Sequence, residues 1–189
     1  MGAVARRAVR LLALAVAPSA VLAHRLDEYL QATVVSIEPE AIRLSINLTP
    51  GIEVADEVLA RIDWNRDGLI NESEGATYSE LLRRDLALRL DRGGVELELV
   101  AATFPTTAEL VAGTGIIQLE FAASALPLAA GPHVLTFENR HFAGVGVYLF
   151  NAALPRSASI EIARQKRNDD QSVGEIEFTL IETKAAAGR

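Results

Sequence analysis

The chain has 189 residues, no cysteine and a formal net charge of −7. Without thiols it can build neither disulfides nor thiolate zinc sites. Its acidic balance disfavours nucleic acid and anionic membrane surfaces as partners.

At the start, Arg6, Arg7 and Arg10 precede an apolar run from Leu11 to Ala17 and the small-residue pattern Val21-Leu22-Ala23. This is the layout of a secretory signal over residues 1–23. The run is too short to cross a bilayer and is broken by Pro18. Cleavage after Ala23 leaves His24 as the new N-terminus, a domain over 24–183 and a disordered tail over 184–189. With the three leader arginines gone, the formal charge moves to about −10, still against polyanion binding. An exported bacterial protein, periplasmic or extracellular, is the expectation, with no membrane span in the mature chain.

Tyr29 to Ile37 and Ala41 to Leu48 alternate in polarity around Glu38-Pro39-Glu40, which predicts a β-hairpin. The period then changes. Ala55, Val58, Leu59 and Ile62 fall on one face of a helix, with Thr49 as N-cap and Pro50 as its first residue. A second helical face follows at Tyr78, Leu81, Leu82 and Leu86. Beyond it the period returns to two. Strands are expected at Leu86 to Leu90, Val95 to Val100, Gly115 to Ala123, His133 to Glu138, Gly146 to Ala152, Ser159 to Arg164 and Gly174 to Ile181. The turn Asp91 to Gly94 and the charged tip Gln165 to Gln171 join two of these pairs. The fold class is therefore mainly β: an antiparallel β-sandwich of about nine strands with a helix-loop-helix inserted at about residues 50–86.

Between the two helices lies Asp63-Trp64-Asn65-Arg66-Asp67-Gly68-Leu69-Ile70-Asn71-Glu72-Ser73-Glu74. Its spacing, D-x-N-x-D-G-x-I-x-x-x-E, is that of an EF-hand calcium loop. Ca²⁺ takes six to eight oxygens, and short oxygen-bearing side chains at alternate positions of a tight loop supply them. Asp63, Asn65 and Asp67 offer side-chain oxygens and Leu69 its carbonyl. Asn71 acts through a water, and Glu74 closes the shell with both carboxylate oxygens. Gly68 serves the sharp bend, and Ile70 anchors the loop to the core. Asn71 and Glu74 also form a capping box for the second helix, a role compatible with metal binding. Trp64, the only tryptophan, takes a position that carries no ligand and is expected to be partly exposed.

In order and character, the exported start with His24, the Tyr29 strand, the single acidic-loop helix pair and the later Glu138-Asn139-Arg140-His141 resemble a known arrangement. It is the extracytoplasmic β-rich domain ahead of the membrane part in some bacterial nickel/cobalt-exporter-like and hydrogenase/urease-accessory-like proteins. No multi-span membrane segment follows here. The resemblance thus implies at most a stand-alone relative, with a membrane transporter as possible partner.

His24, His133 and His141 are the only histidines. A mature N-terminal His24 can bind copper or nickel through its amine and imidazole, which supplies the alternative reading of a metal-binding or transporter-accessory protein. His133 reads as a surface residue at a strand start and His141 as a loop hydrogen-bonder. No nucleophile elbow or H-E-x-x-H motif is present. Glu120 with Glu138 could face each other across strands, but such pairs are usually solvated, and no enzyme is expected. Gly144 and Gly146 suit a bend into the next strand better than a phosphate loop.

Overall fold

The computed structural model describes residues 27–124 and 128–181. The signal segment, His24 and the 184–189 tail lie outside the described residues. Among the described residues, ten strands and three helices are formed: β1 (Tyr29–Ile37), β2 (Ala41–Pro50), α1 (Ile52–Ile62), α2 (Glu72–Asp85), β3 (Leu86–Leu90), β4 (Gly93–Val95), β5 (Glu98–Thr103), α3 (Thr107–Val111), β6 (Ile117–Ser124), β7 (Gly131–Asn139), β8 (Gly146–Ala152), β9 (Ile160–Arg167) and β10 (Val173–Leu180). They assemble two five-stranded sheets, β5-β6-β2-β1-β8 and β4-β3-β7-β10-β9.

The sheets meet through their apolar faces. Leu44, Ile46, Leu48, Leu119 and Phe121 of the first and Leu135, Phe137, Ile176 and Phe178 of the second are fully or almost fully buried. Phe137 of β7 stacks on Phe150 of β8, with centroids 5.5 Å apart and planes inclined at 13°. Gly174 of β10 backs onto the same ring so closely that a methyl group there would overlap Phe150. Along β8, side chains of the opposite sheet satisfy main-chain groups. Gln165 Nε2 and Arg167 Nε donate to the Phe150 carbonyl at 3.1 and 2.6 Å, and Ala152 N donates to Gln165 Oε1 at 2.9 Å. One edge of each sheet is thereby tied to the other.

Several expectations need correction. The sheets are not wholly antiparallel, because β1 and β8 pair in parallel. The expected strand Val95 to Val100 is two strands in different sheets: the chain crosses at Glu96 and Leu97, and Leu97 is buried where it passes the core. Pro50 does not open α1. It ends β2, opposite Tyr29, and Gly51 is the N-cap. A residue before proline is held extended, so Thr49 continues the strand, and Gly51 N donates to the Glu28 carbonyl at 2.8 Å. The tip after β9 is tighter than expected, since that strand runs on to Arg167 and Asn168 N reaches the Val173 carbonyl at 3.0 Å. Glu120 and Glu138 stand in different sheets; Glu120 accepts from Ser45 and Glu138 pairs with Arg140.

The helical pair sits between β2 and β3 and adds to the same core. Val54, Val58 and Ile62 of α1 and Tyr78 and Leu82 of α2 belong to the buried cluster that the strands form. None of the helices among the described residues is long and apolar enough to cross a membrane.

Candidate metal centre

The loop between α1 and α2 is organised by its own acidic and amide side chains. Asp63 caps α1, is almost fully buried, and takes two loop amides: Asp67 N at 3.1 Å and Gly68 N at 3.0 Å. Asn65 Oδ1 accepts from Asp67 N at 2.8 Å, and Asn65 Nδ2 donates to Asp67 Oδ2 at 3.0 Å. Asp67 Oδ1 accepts from Leu69 N at 2.8 Å. Short side chains that bond main-chain N–H groups two residues on favour such turns over a continued helix. The backbone reverses through Arg66 (φ 60°) and Gly68 (φ 81°). Nothing lies within 4 Å of a side chain added at Gly68, so the need for glycine there is conformational rather than steric.

Asn71 and Glu74 form the expected capping box: Glu74 N donates to Asn71 Oδ1 and Asn71 N to Glu74 Oε2, both at 3.1 Å. Glu74 is fully buried, and its other oxygen, Oε1, has no hydrogen-bond partner. Buried acceptors are nearly always paired, and a buried carboxylate costs far more to leave unpaired than a neutral group. This oxygen is the one side-chain polar atom left so among the buried groups of the described residues.

The geometry thus joins Asp63, Asn65 and Asp67 in one cluster and Asn71 and Glu74 in another. Leu69 and Trp64 turn their side chains to solvent. Among the described residues, no three or more His, Asp and Glu side chains already stand as a metal cluster. Closing the loop on an ion requires Glu74 to act with Asp63 and Asp67, while Asn65 and the main chain add neutral oxygens. An all-oxygen set suits a hard cation such as Ca²⁺ rather than copper or zinc, so the residues fit the ion that their spacing implies.

Sequence reasoning missed the support of this loop. Thr107, the first residue of α3, donates its hydroxyl to the Gly68 carbonyl at 2.8 Å. Phe104 covers Gly75 on α2, close enough that a Cβ would sit 2.8 Å from its ring, and meets Tyr78 edge-on at 6.2 Å. A signal for α3 was present. Thr106 and Glu109 form a capping box, with the S/T-x-x-E pattern that marks a helix start.

The C-terminal half of α2 is polar as well: Tyr78 is fully buried, while the Asp85 side chain is 39% exposed. Tyr78 Oη lies 2.7 Å from Tyr29 Oη and 3.0 Å from His141 Nε2, while His141 Nδ1 lies 2.7 Å from Asp85 Oδ2. Asn139 Oδ1 accepts from His141 N, Asn139 Nδ2 donates to Gln31 Oε1, and Gln31 Nε2 and Tyr148 Oη both donate to the His141 carbonyl. His141 is a loop hydrogen-bonder, as expected, in the connection between β7 and β8, but its burial was not foreseen: it is a fully buried hub joining α2, β1, β7 and β8. Burial lowers its pKa, against the opposing pull of Asp85, and pushes the Tyr78 hydroxyl well above the usual range. His133, near the start of β7, spends its two nitrogens on Asp91 and the Ala129 carbonyl. Neither imidazole can take a metal without giving up a protein partner. No protein-family model, curated protein or solved structure matches the chain.

Proposed function

We propose that this chain is an exported calcium-binding protein whose single EF-hand, Asp63 to Glu74, holds Ca²⁺ in a structural or sensing role. One observation carries the reading. The twelfth loop position, where a calcium loop needs a bidentate carboxylate, holds Glu74, fully buried with one oxygen unpartnered. A cation there would supply the missing positive partner. The bound ion would hold Asp63 and Asp67, on the α1 side, to Glu74 on α2. EF-hands usually work in pairs, and here the contacts of Thr107 and Phe104 take the supporting place of a second loop. A site braced in this way suits an environment rich in calcium, where modules bind with dissociation constants of about 10⁻⁴ to 10⁻³ M.

The test is a calcium titration of the mature protein, followed by Trp64 emission and by Tb³⁺ luminescence sensitised through that indole. Trp64 lies in the loop and is 61% exposed, so its surroundings change if the loop closes. Calcium at one hundred times its dissociation constant should stabilise the fold by about 2.7 kcal/mol. Glu74→Gln should abolish that gain and the saturable emission change. A full calcium-induced rise in melting temperature in Glu74→Gln would sink the proposal.

A further inference from the structure

We infer that the His141 hub is an acid-operated latch: protonating its imidazole releases the α1–α2 hairpin from the β-sandwich while the sheets stay folded. The hub is the buried polar joint between these two parts. From α2, Tyr78 and Asp85 grip the two ring nitrogens; from the sandwich side, Gln31, Asn139 and Tyr148 fix the main chain of His141. The last turn of α1 reaches the same loop, with the Arg61 guanidinium 4.1 Å from the centre of the Phe142 ring.

Proton counting explains why this joint has one stable state. With His141 neutral, Nδ1–H donates to Asp85, Tyr78 donates to Nε2, and Tyr29 donates to Tyr78, so every donor finds an acceptor. A proton added at Nε2 reverses the chain. Tyr78 must then accept from the ring and donate to Tyr29, whose own buried hydroxyl hydrogen loses its acceptor. The charged groups facing the ring are few. Asp85 favours the imidazolium, Arg61 opposes it, and Tyr29, Tyr78 and Tyr148 stay neutral because burial holds their hydroxyls above the usual range. With the hairpin released, the uncovered imidazole takes an ordinary pKa near 6.5, above that of the buried ring. The released form therefore gains the proton first. Its population rises about tenfold per pH unit as pH falls from 6.5 to the native pKa, then levels off.

None of the hub residues is a loop ligand, so the latch stands without the calcium reading. The test is amide hydrogen exchange of the full chain between pH 7.5 and 4.5, corrected for intrinsic rates, in excess calcium and again with chelator. A parallel NMR titration locates the His141 pKa. Peptides from α1 and α2 should lose protection below pH 6.5 while those from β2, β6 and β10 keep theirs. Asp85→Asn removes the charge that favours the imidazolium and should lower the pH at which the loss levels off. His141→Gln should make hairpin protection flat with pH; if that variant fails to fold, Asp85→Asn and the NMR titration still decide. The latch is overturned if hairpin and sheets lose protection together, if Asp85→Asn leaves the profile unmoved, or if the dependence survives in His141→Gln. Failure of calcium binding alone would only make the two series coincide.

Discussion

Helix α2 carries a polar cluster with a fully buried member in each half, Glu74 and Tyr78, and the two differ in one respect. At its start, Glu74 keeps an oxygen with no donor; at its end, Tyr78 and Asp85 enclose His141 in a network where each ring nitrogen has a partner. A satisfied network specifies one arrangement of the chain. An unsatisfied buried carboxylate marks a place where something outside the chain is expected to bind. The contrast separates the part of α2 that docks the hairpin from the part to which the calcium proposal assigns an ion.

Breaking the satisfied end should have the larger effect. His141→Ala deletes a fully buried ring and leaves one hydroxyl hydrogen of the buried Tyr29–Tyr78 pair without an acceptor, so a loss of about 3 kcal/mol is expected in urea unfolding, with calcium present or absent. A loss under about 0.5 kcal/mol, the scale of ordinary surface substitutions, would mean that the network contributes little. The unsatisfied end should respond to calcium instead. Thr107→Val keeps the shape of the side chain but removes the hydroxyl from the Gly68 carbonyl. Losing one such bond, about 1 kcal/mol, weakens calcium binding about fivefold by titration. Equal affinity in this variant would show that α3 touches the loop without supporting it.

The two ends were also unequally legible in the sequence. All six proposed ligands fall within twelve consecutive residues, and their spacing follows from the reach of short side chains around a tight turn, so a local pattern suffices. The hub instead gathers residues 29, 31, 78, 85, 139, 141 and 148, which only the strand order brings together. Period-two alternation placed most strands well, because it reports which face is buried. It could not tell that Leu97 points into the core while the chain changes sheets, nor that β1 takes β8 as a parallel neighbour. Those are choices between partners, and alternation is the same for each.

The smallest effect concerns the pH dependence of stability, in which the two described histidines should act with opposite signs. Burial depresses the pKa of His141, so its contribution is full above about pH 6.5, the unfolded value, and is lost as pH falls through the native pKa. His133 is the reverse. The Ala129 carbonyl and Asp91 hold its proton and raise its pKa, so its contribution is full below about pH 6.5 and is lost as pH rises through the native value. Unfolding midpoints between pH 5 and 8 should therefore shift toward the acid side of stability in His141→Gln and toward the alkaline side in His133→Gln. Because the Asp91 side chain is 46% exposed, solvent screens that pair and the His133 effect should be the weaker. A shift of the same sign in both variants would mean that burial, rather than the particular partner, governs the two rings alike.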